Sequence, residues 1–166
     1  MKEYRRYTWL ILLLLGCLAI GLVGCTGTQP KPTASFEVIP AETAITPALL
    51  KQPIQFKGSG FMPQETVVVD LMIPKGVKIK TVPEDEKSVG LAVADADDNG
   101  TFDTKMGAVG TLNWLFQVGW TDNFKPKLNE ATPLPPGKYE IKATGMDSDK
   151  FGLATLTIVP PPKKKE

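Results

Sequence analysis

The sequence predicts an all-β fold, a sandwich of about seven short strands with one helical insertion. Three observations predict it. Apolar residues alternate with polar or small ones at period two through most of residues 36–159. Turn signals separate these runs, at Gly58-Ser59-Gly60, Pro74-Lys75-Gly76, Asn99-Gly100 and Pro135-Pro136-Gly137. Only one stretch, residues 106–120, spaces its apolar residues at a helical period.

In chain order, Phe36 and Val38 alternate with Ser35 and Glu37, and Ile54 and Phe56 with Gln55 and Lys57. Residues 66–73 are almost wholly apolar, the pattern of a strand buried on both faces. Val89, Leu91 and Val93 alternate with Gly90, Ala92 and Ala94, and Phe102 follows the Asn99-Gly100 turn. Tyr139, Ile141 and Ala143 alternate with Glu140, Lys142 and Thr144, and Ala154, Leu156 and Ile158 with Thr155, Thr157 and Val159. Between the fifth and sixth strands, Ala108, Leu112, Leu115, Phe116 and Gly119 share one helical face. They predict a short helix over about 107–118, followed by a long loop to Pro136. Seven short alternating strands with turns between them make the pattern of an Ig-like β-sandwich, here over residues 36–160.

The N-terminus carries a different signal. Lys2, Arg5 and Arg6 precede an apolar run over 9–23, and small residues precede a break. That is the layout of a secretory signal peptide. The 15-residue run is shorter than the roughly 20 apolar residues a spanning helix needs, and Thr26-Gly27-Thr28-Gln29-Pro30 is no stop-transfer sequence. Leu22-Val23-Gly24-Cys25 resembles the bacterial lipobox. The resemblance implies a lipoprotein signal over 1–24 and lipidation of Cys25, which becomes the first residue of the mature chain. It also implies an extracytoplasmic, membrane-anchored location in the cell envelope. One acyl chain holds a protein only marginally, so the implied anchor is a diacylglyceryl thioether, with an N-acyl chain in many bacteria. Thr26 stands where Asp marks inner-membrane retention in Gram-negative cells, which implies sorting to the outer membrane where there are two. Residues 25–35, rich in Pro and small polar residues, read as a lipidated tether, and 161–166 as a basic tail.

Composition removes several chemistries. Taking residues 1–24 from the 166 leaves 142, enough for one domain. Cys17 leaves with the signal and Cys25 is consumed by lipid, so the mature domain has no disulfide and depends on its core. The chain has 0 His, and both arginines precede Cys25. His-based triads and His/Cys zinc or copper sites are therefore impossible. Of the 19 basic residues Lys2, Arg5 and Arg6 lie in the signal, and of the 18 acidic ones Glu3 does, leaving 16 against 17. A near-neutral domain without Arg predicts no nucleic-acid partner.

A second resemblance covers the domain. Gly58-Ser59-Gly60-Phe61-Met62-Pro63-Gln64-Glu65-Thr66-Val67-Val68-Val69 is similar to the G-x-G-F-x-P-x-E-x-V-x-V opening of bacterial and archaeal surface Ig-like domains. Residues 94–102 resemble their A-D-x-x-G-x-F hairpin, 135–145 their P-P-G-x-Y-x-I-x-A-x-G strand, and 154–158 their final strand. The resemblance implies the fold. It is silent on function, because such domains act as spacers, adhesion modules and binding modules. The helix at 107–118 departs from a minimal domain of this kind.

Two constellations are candidates for a site. Asp95-Ala96-Asp97-Asp98-Asn99-Gly100 fits the first half of a calcium loop, with Asp95, Asp97 and Asn99 converging oxygens and Thr101 and Asp103 completing the set. Its twelfth position is Met106, not Glu. The same residues also suit a hairpin tip, where Asn-Gly supplies the positive φ angles. Trp114, Phe116, Trp120 and Phe124 put four aromatics in eleven residues. Exposed, Trp114, Trp120 and Phe124 form a ligand or partner surface; packed, they plug the sandwich end. Helical spacing turns Leu112, Leu115 and Phe116 inward and Trp114 outward. Glu84-Asp85-Glu86 reads as a solvated turn rather than a glycosidase pair. The sequence thus predicts a lipid-anchored envelope Ig-like module with a structural or protein-binding role and no catalysis. Its partners are the membrane and an envelope protein or glycan. The alternative is a ligand-binding module, calcium-assisted or not, that uses residues 114–124.

Overall fold

All seven predicted strands form, and three shorter ones join them. In the computed structural model, which describes residues 31–162, the strands are β1 (Ser35–Ile39), β2 (Glu42–Ala44), β3 (Gln55–Ser59), β4 (Thr66–Met72), β5 (Ser88–Asp95), β6 (Thr101–Lys105), β7 (Gly119–Trp120), β8 (Pro126–Lys127), β9 (Gly137–Gly145) and β10 (Phe151–Val159). Residues from Pro32 onward belong to one compact unit. The expected signal, Cys25, most of the expected tether and the tail from residue 163 lie outside the described residues.

The fold is mostly β, with one short helix and several sheets. A three-stranded sheet has the order β1-β3-β6, and a five-stranded sheet the order β2-β10-β9-β4-β5. β7 and β8 form a separate small hairpin. The chain changes sheet between β1 and β2, so the three-residue β2 pairs parallel with β10. Every other pairing is antiparallel.

One apolar core joins the two larger sheets. Val38, Phe56 and Phe102 come from the three-stranded sheet, and Val67, Val69, Leu71, Tyr139, Ile141, Leu156 and Ile158 from the five-stranded one. Phe36, Phe56, Phe61 and Phe102 add ring pairs at centroid distances of 5.5–6.3 Å. Each fully buried large side chain contributes about 1.5–3 kcal/mol, which lets a domain without disulfides stand on packing.

The structure corrects the reading of β4 as buried on both faces. Val67, Val69 and Leu71 are fully buried, while Val68, Asp70 and Met72 are half-buried on the opposite face. It also breaks the alternation read for β5. Val69 pairs with Ala92 but Asp70 pairs with Gly90, so Leu91 forms a bulge. A one-residue slip exchanges the faces. Val89 and Leu91 stay in the core, and Val93 emerges 63 % exposed beside Val68.

The helix forms where its periodicity placed it but is shorter and wider. A single α-turn over Ala108–Gly110 runs into a π-turn over Thr111–Leu115, closed by Phe116 N–H on Thr111 O at 3.1 Å. The buried Thr111 hydroxyl donates back to Gly107 O at 3.0 Å, a bond that bends helices.

At one end of the strands a buried carboxylate ties three turns together. Glu65 is 1 % exposed. Its oxygens accept from Met62 N–H, from Asp147 N–H at 3.3 Å, and from Ser148 through N–H at 3.1 Å and hydroxyl at 2.8 Å. Its own backbone carbonyl accepts from Ala96 N–H at 2.9 Å, which adds the β5–β6 turn. A Cβ at Gly145 would sit 2.5 Å from this carboxyl, so glycine there makes the room. Beside it Gly100, at φ +70, carries the tip of the β5–β6 turn, where any Cβ would strike Phe61 O at 2.3 Å. Burial pushes the Glu65 carboxyl up, but the bonds from Met62, Ser148 and Asp147 outweigh it and hold the carboxyl below its ordinary value of 4.5. A depressed folded pKa gives stability that is present above the unfolded value and lost as pH falls through the folded one. Glu65→Gln, which turns an acceptor into a donor facing N–H groups, is expected to cost about 3 kcal/mol at pH 7 in urea unfolding. The gap to wild type should narrow below pH 4.5 as wild type loses its charge; a gap of constant size would contradict this account.

Candidate functional site

The strand ends divide the domain's loops into two sets. At the entry end, Thr33 N–H meets Phe151 O at 2.9 Å, next to the Glu65 turns. At the far end, β6 leads through the insertion of residues 106–136 into β9. Nine residues of β9 separate the ends by about 30 Å.

The insertion holds the aromatic candidates. Leu112, Leu115 and Phe116 are buried, as their spacing predicted. Trp114 does not point freely outward. It is half-buried against the core, and the insertion's return limb is tied to the helix by Leu134 N–H on Leu115 O at 2.9 Å. Trp120 is also half-buried, and its indole N–H donates to Asn113 Oδ1 at 2.8 Å. Phe124 is 86 % exposed, at the tip of the β7–β8 hairpin. The turn is held by Phe124 N–H on Thr121 O at 2.9 Å and Lys125 N–H on the Thr121 hydroxyl at 3.1 Å. Phe124 adopts φ +56, a left-handed conformation that bulky residues rarely take.

Sequence reasoning missed Gln117, which is buried, has φ +51, and accepts from Lys80 N–H. It joins the insertion to the β4–β5 loop. No motif marks a lone Gln, and its only signal was a polar residue between Phe116 and Val118. The β4–β5 loop borders a half-open cavity of about 410 Å³, lined by Ile73, Val77, Val82 and Pro83 together with Lys78, Lys80, Glu84 and Glu86. The exposed Lys78–Glu84 pair, at 2.6 Å, stabilises the loop little.

The acidic candidates lie at the entry end and along β6. They line an open depression of about 510 Å³ on the outer face of the three-stranded sheet, with Asp95, Asp97, Thr101 and Asp103 beside Glu37 and Lys57. Each of these three aspartates has a protein partner. Asp97 accepts from Asn99 N–H at 2.8 Å, Thr101 N–H at 2.9 Å and the Thr101 hydroxyl at 2.8 Å. The Thr101 bonds, then those of Asn99, hold its carboxyl below the ordinary value despite some desolvation. Asp95 accepts from the Thr66 hydroxyl at 2.9 Å, and Asp103 from Gln55 at 3.1 Å and Lys57 at 3.3 Å. Asn99 sits at the hairpin tip before Gly100. Among the described residues, no three His, Cys, Asp or Glu side chains are grouped to hold a metal ion. None of their helices is long and apolar enough to cross a membrane.

No protein-family model matches the chain, and a comparison with curated proteins finds no match. Among solved structures, a β-glucosidase from Erythrobacter marinus is similar at 12 % identity and TM-score 0.42, over 75 % of this chain. This chain spans only 15 % of that enzyme's length. Macromomycin is similar at 12 % identity and TM-score 0.42, over 76 % of this chain and 99 % of its own.

Relieving the Phe124 backbone checks whether that residue serves stability. Phe124→Gly removes an exposed ring and a left-handed strain worth about 1 kcal/mol. Urea unfolding is expected to show unchanged or slightly raised stability; a loss of 2 kcal/mol or more would mean that the ring is packed.

Proposed function

We propose that this chain is a lipid-anchored module of the cell envelope with an Ig-like fold and a structural or protein-binding role, without catalysis. The single observation that carries the reading is polarity along the strands. The chain enters the domain beside Phe151, and the insertion with its exposed Phe124 lies at the other end. Seven residues from Cys25 to Pro32 reach at most about 25 Å, so a lipid on Cys25 keeps the entry end near the membrane. The far end is then presented outward.

Two features support the Ig-like assignment. The orders β1-β3-β6 and β2-β10-β9-β4-β5 are compatible with two antiparallel sheets around a common core. Tyr139, near the start of β9, donates its hydroxyl to Pro135 O at 2.7 Å, the geometry of a tyrosine corner. The non-catalytic reading rests on the absence of His from the chain, and of Arg and any free thiol after Cys25.

The second reading, a glycan- or ligand-binding module, is favoured by Phe124, an exposed ring on a strained tip. Phe124→Gly decides between the two. Envelope polysaccharide that binds wild type and not Phe124→Gly supports the second reading, and a wild type that binds none removes it.

The anchor itself is tested by metabolic labelling with a fatty-acid analogue. Wild type is expected to take up label and partition with membranes. Cys25→Ser should take up none and keep its signal peptide, because the thiol is the acyl acceptor. Equal labelling of both would overturn the anchor.

A further inference from the structure

The outer face of the five-stranded sheet departs from the polar character that alternation gives a solvent face. Two cross-strand rows define it. The first runs Val93, Val68, Thr144, Phe151 across β5, β4, β9 and β10, and the second runs Gly90, Asp70, Lys142, Leu153 across the same strands. These side chains point away from Val67, Val69, Ile141 and Ala143, which fill the core. Val93 reaches this face only through the bulge at Leu91.

We infer that this face pairs with the same face of a second copy of the chain, about a two-fold axis that runs parallel to the strands between β4 and β9. Asp70 and Lys142 are register partners at one height on these two strands. The axis therefore sets Asp70 of each copy against Lys142 of the other, one acid and one base on either side. The same operation maps β5 onto β10. Val93 then meets Phe151 of the second copy, and Leu153 of the second copy comes down on Gly90, which has no side chain and leaves it room. Val93 meets Phe151, Val68 meets Thr144, charge meets opposite charge, and the largest apolar residue of the second row meets the smallest residue.

Two further observations agree. Desolvation raises the Asp70 carboxyl above its ordinary value, and its own Lys142, whose ammonium also lies 5.0 Å from the Phe151 ring, offsets this only in part. A second lysine from the other copy supplies what is missing. An axis parallel to the strands also puts both entry ends on the same side, as two lipid anchors in one membrane require. That last point rests on the proposed anchor; the charge and shape match does not.

Strand spacing and rise give a face of roughly 20 by 25 Å, at the small end of stable interfaces, so association is to be sought at concentrations up to several hundred micromolar. The unit from Pro32 onward is compact by itself and can be measured without lipid. Sedimentation equilibrium is expected to show a dimer. Asp70→Lys alone and Lys142→Asp alone should each be monomeric, since each brings like charges together on the axis. Mixed in equal amounts, the two variants should dimerise with each other, because one then presents two lysines and the other two aspartates. Only a contact between copies gives that rescue, and it also shows both variants folded. Gly90→Leu, whose new Cβ meets nothing closer than Asp70 Oδ1 at 3.8 Å, should fold and be monomeric. A wild type that stays monomeric at several hundred micromolar overturns the proposal. So does a mixture that fails to pair, or a Gly90→Leu variant that still dimerises. A monomeric wild type would leave the anchor standing, and a failed labelling experiment would leave the dimer standing.

Discussion

The buried carboxylate of Glu65 is the constraint on which the entry end depends. It sits among backbone N–H groups of two turns that are distant in sequence, 62–65 and 147–148, and its carbonyl takes up Ala96 of a third. An ionised group in a desolvated site is tolerable only when several donors surround it. Met62, Asp147 and Ser148 provide them, and Gly145 provides the space. Turns that would otherwise be independent are thus fixed relative to one another. Among the described residues the far end has no such centre. Its loops are joined by neutral contacts, Gln117 to Lys80 and Trp120 to Asn113, which suits a region where surface rather than rigidity is at stake.

The second organising event is the bulge at Leu91. Without it β5 would place Val89, Leu91 and Val93 in the core together. With it Val89, Leu91, Ala92 and Ala94 lie against the core, and Val93 joins Gly90 on the outer face. The same slip puts Gly90 opposite Asp70. One extra residue thus sets both how the core closes and what the outer face presents.

Much of this was legible in the sequence. Five of the seven longer strands follow from alternation, because period two survives translation into packing, while β4 follows from its apolar run and β6 from Phe102 after the Asn99-Gly100 turn. The helix was legible in position but not in form. The back-bond from Thr111 that accompanies its π-turn is a local hydrogen bond, which apolar spacing does not register. β2, β7 and β8 were not legible, since two or three residues carry no period. Nor was the bulge, because an unbroken alternation from Val89 to Val93 reads as one face whether or not the partner strand slips. Among the candidate residues, the spacing of Asp95, Asp97 and Asn99 carried two meanings. The hydrogen bonds of Asp97 to its own turn account for it locally. Phe124 was legible as aromatic and Trp120 as its neighbour. Their different burial was set by Asn113 and the hairpin, which lie outside any motif.

The proposed function has the module stand on a membrane by its entry end and project residues 106–136 away from it. The most direct measurement of that claim is height above the bilayer. With Cys17 removed and Cys25 acylated, as proposed, the mature chain would have no free thiol, so Met146→Cys at the entry end and Phe124→Cys at the far end could each carry one dye, and both positions are exposed. Energy transfer to an acceptor in the lipid surface should be strong from position 146 and weak from position 124, a difference in height of about 30 Å. Equal transfer from the two positions, or stronger transfer from position 124, would contradict the account.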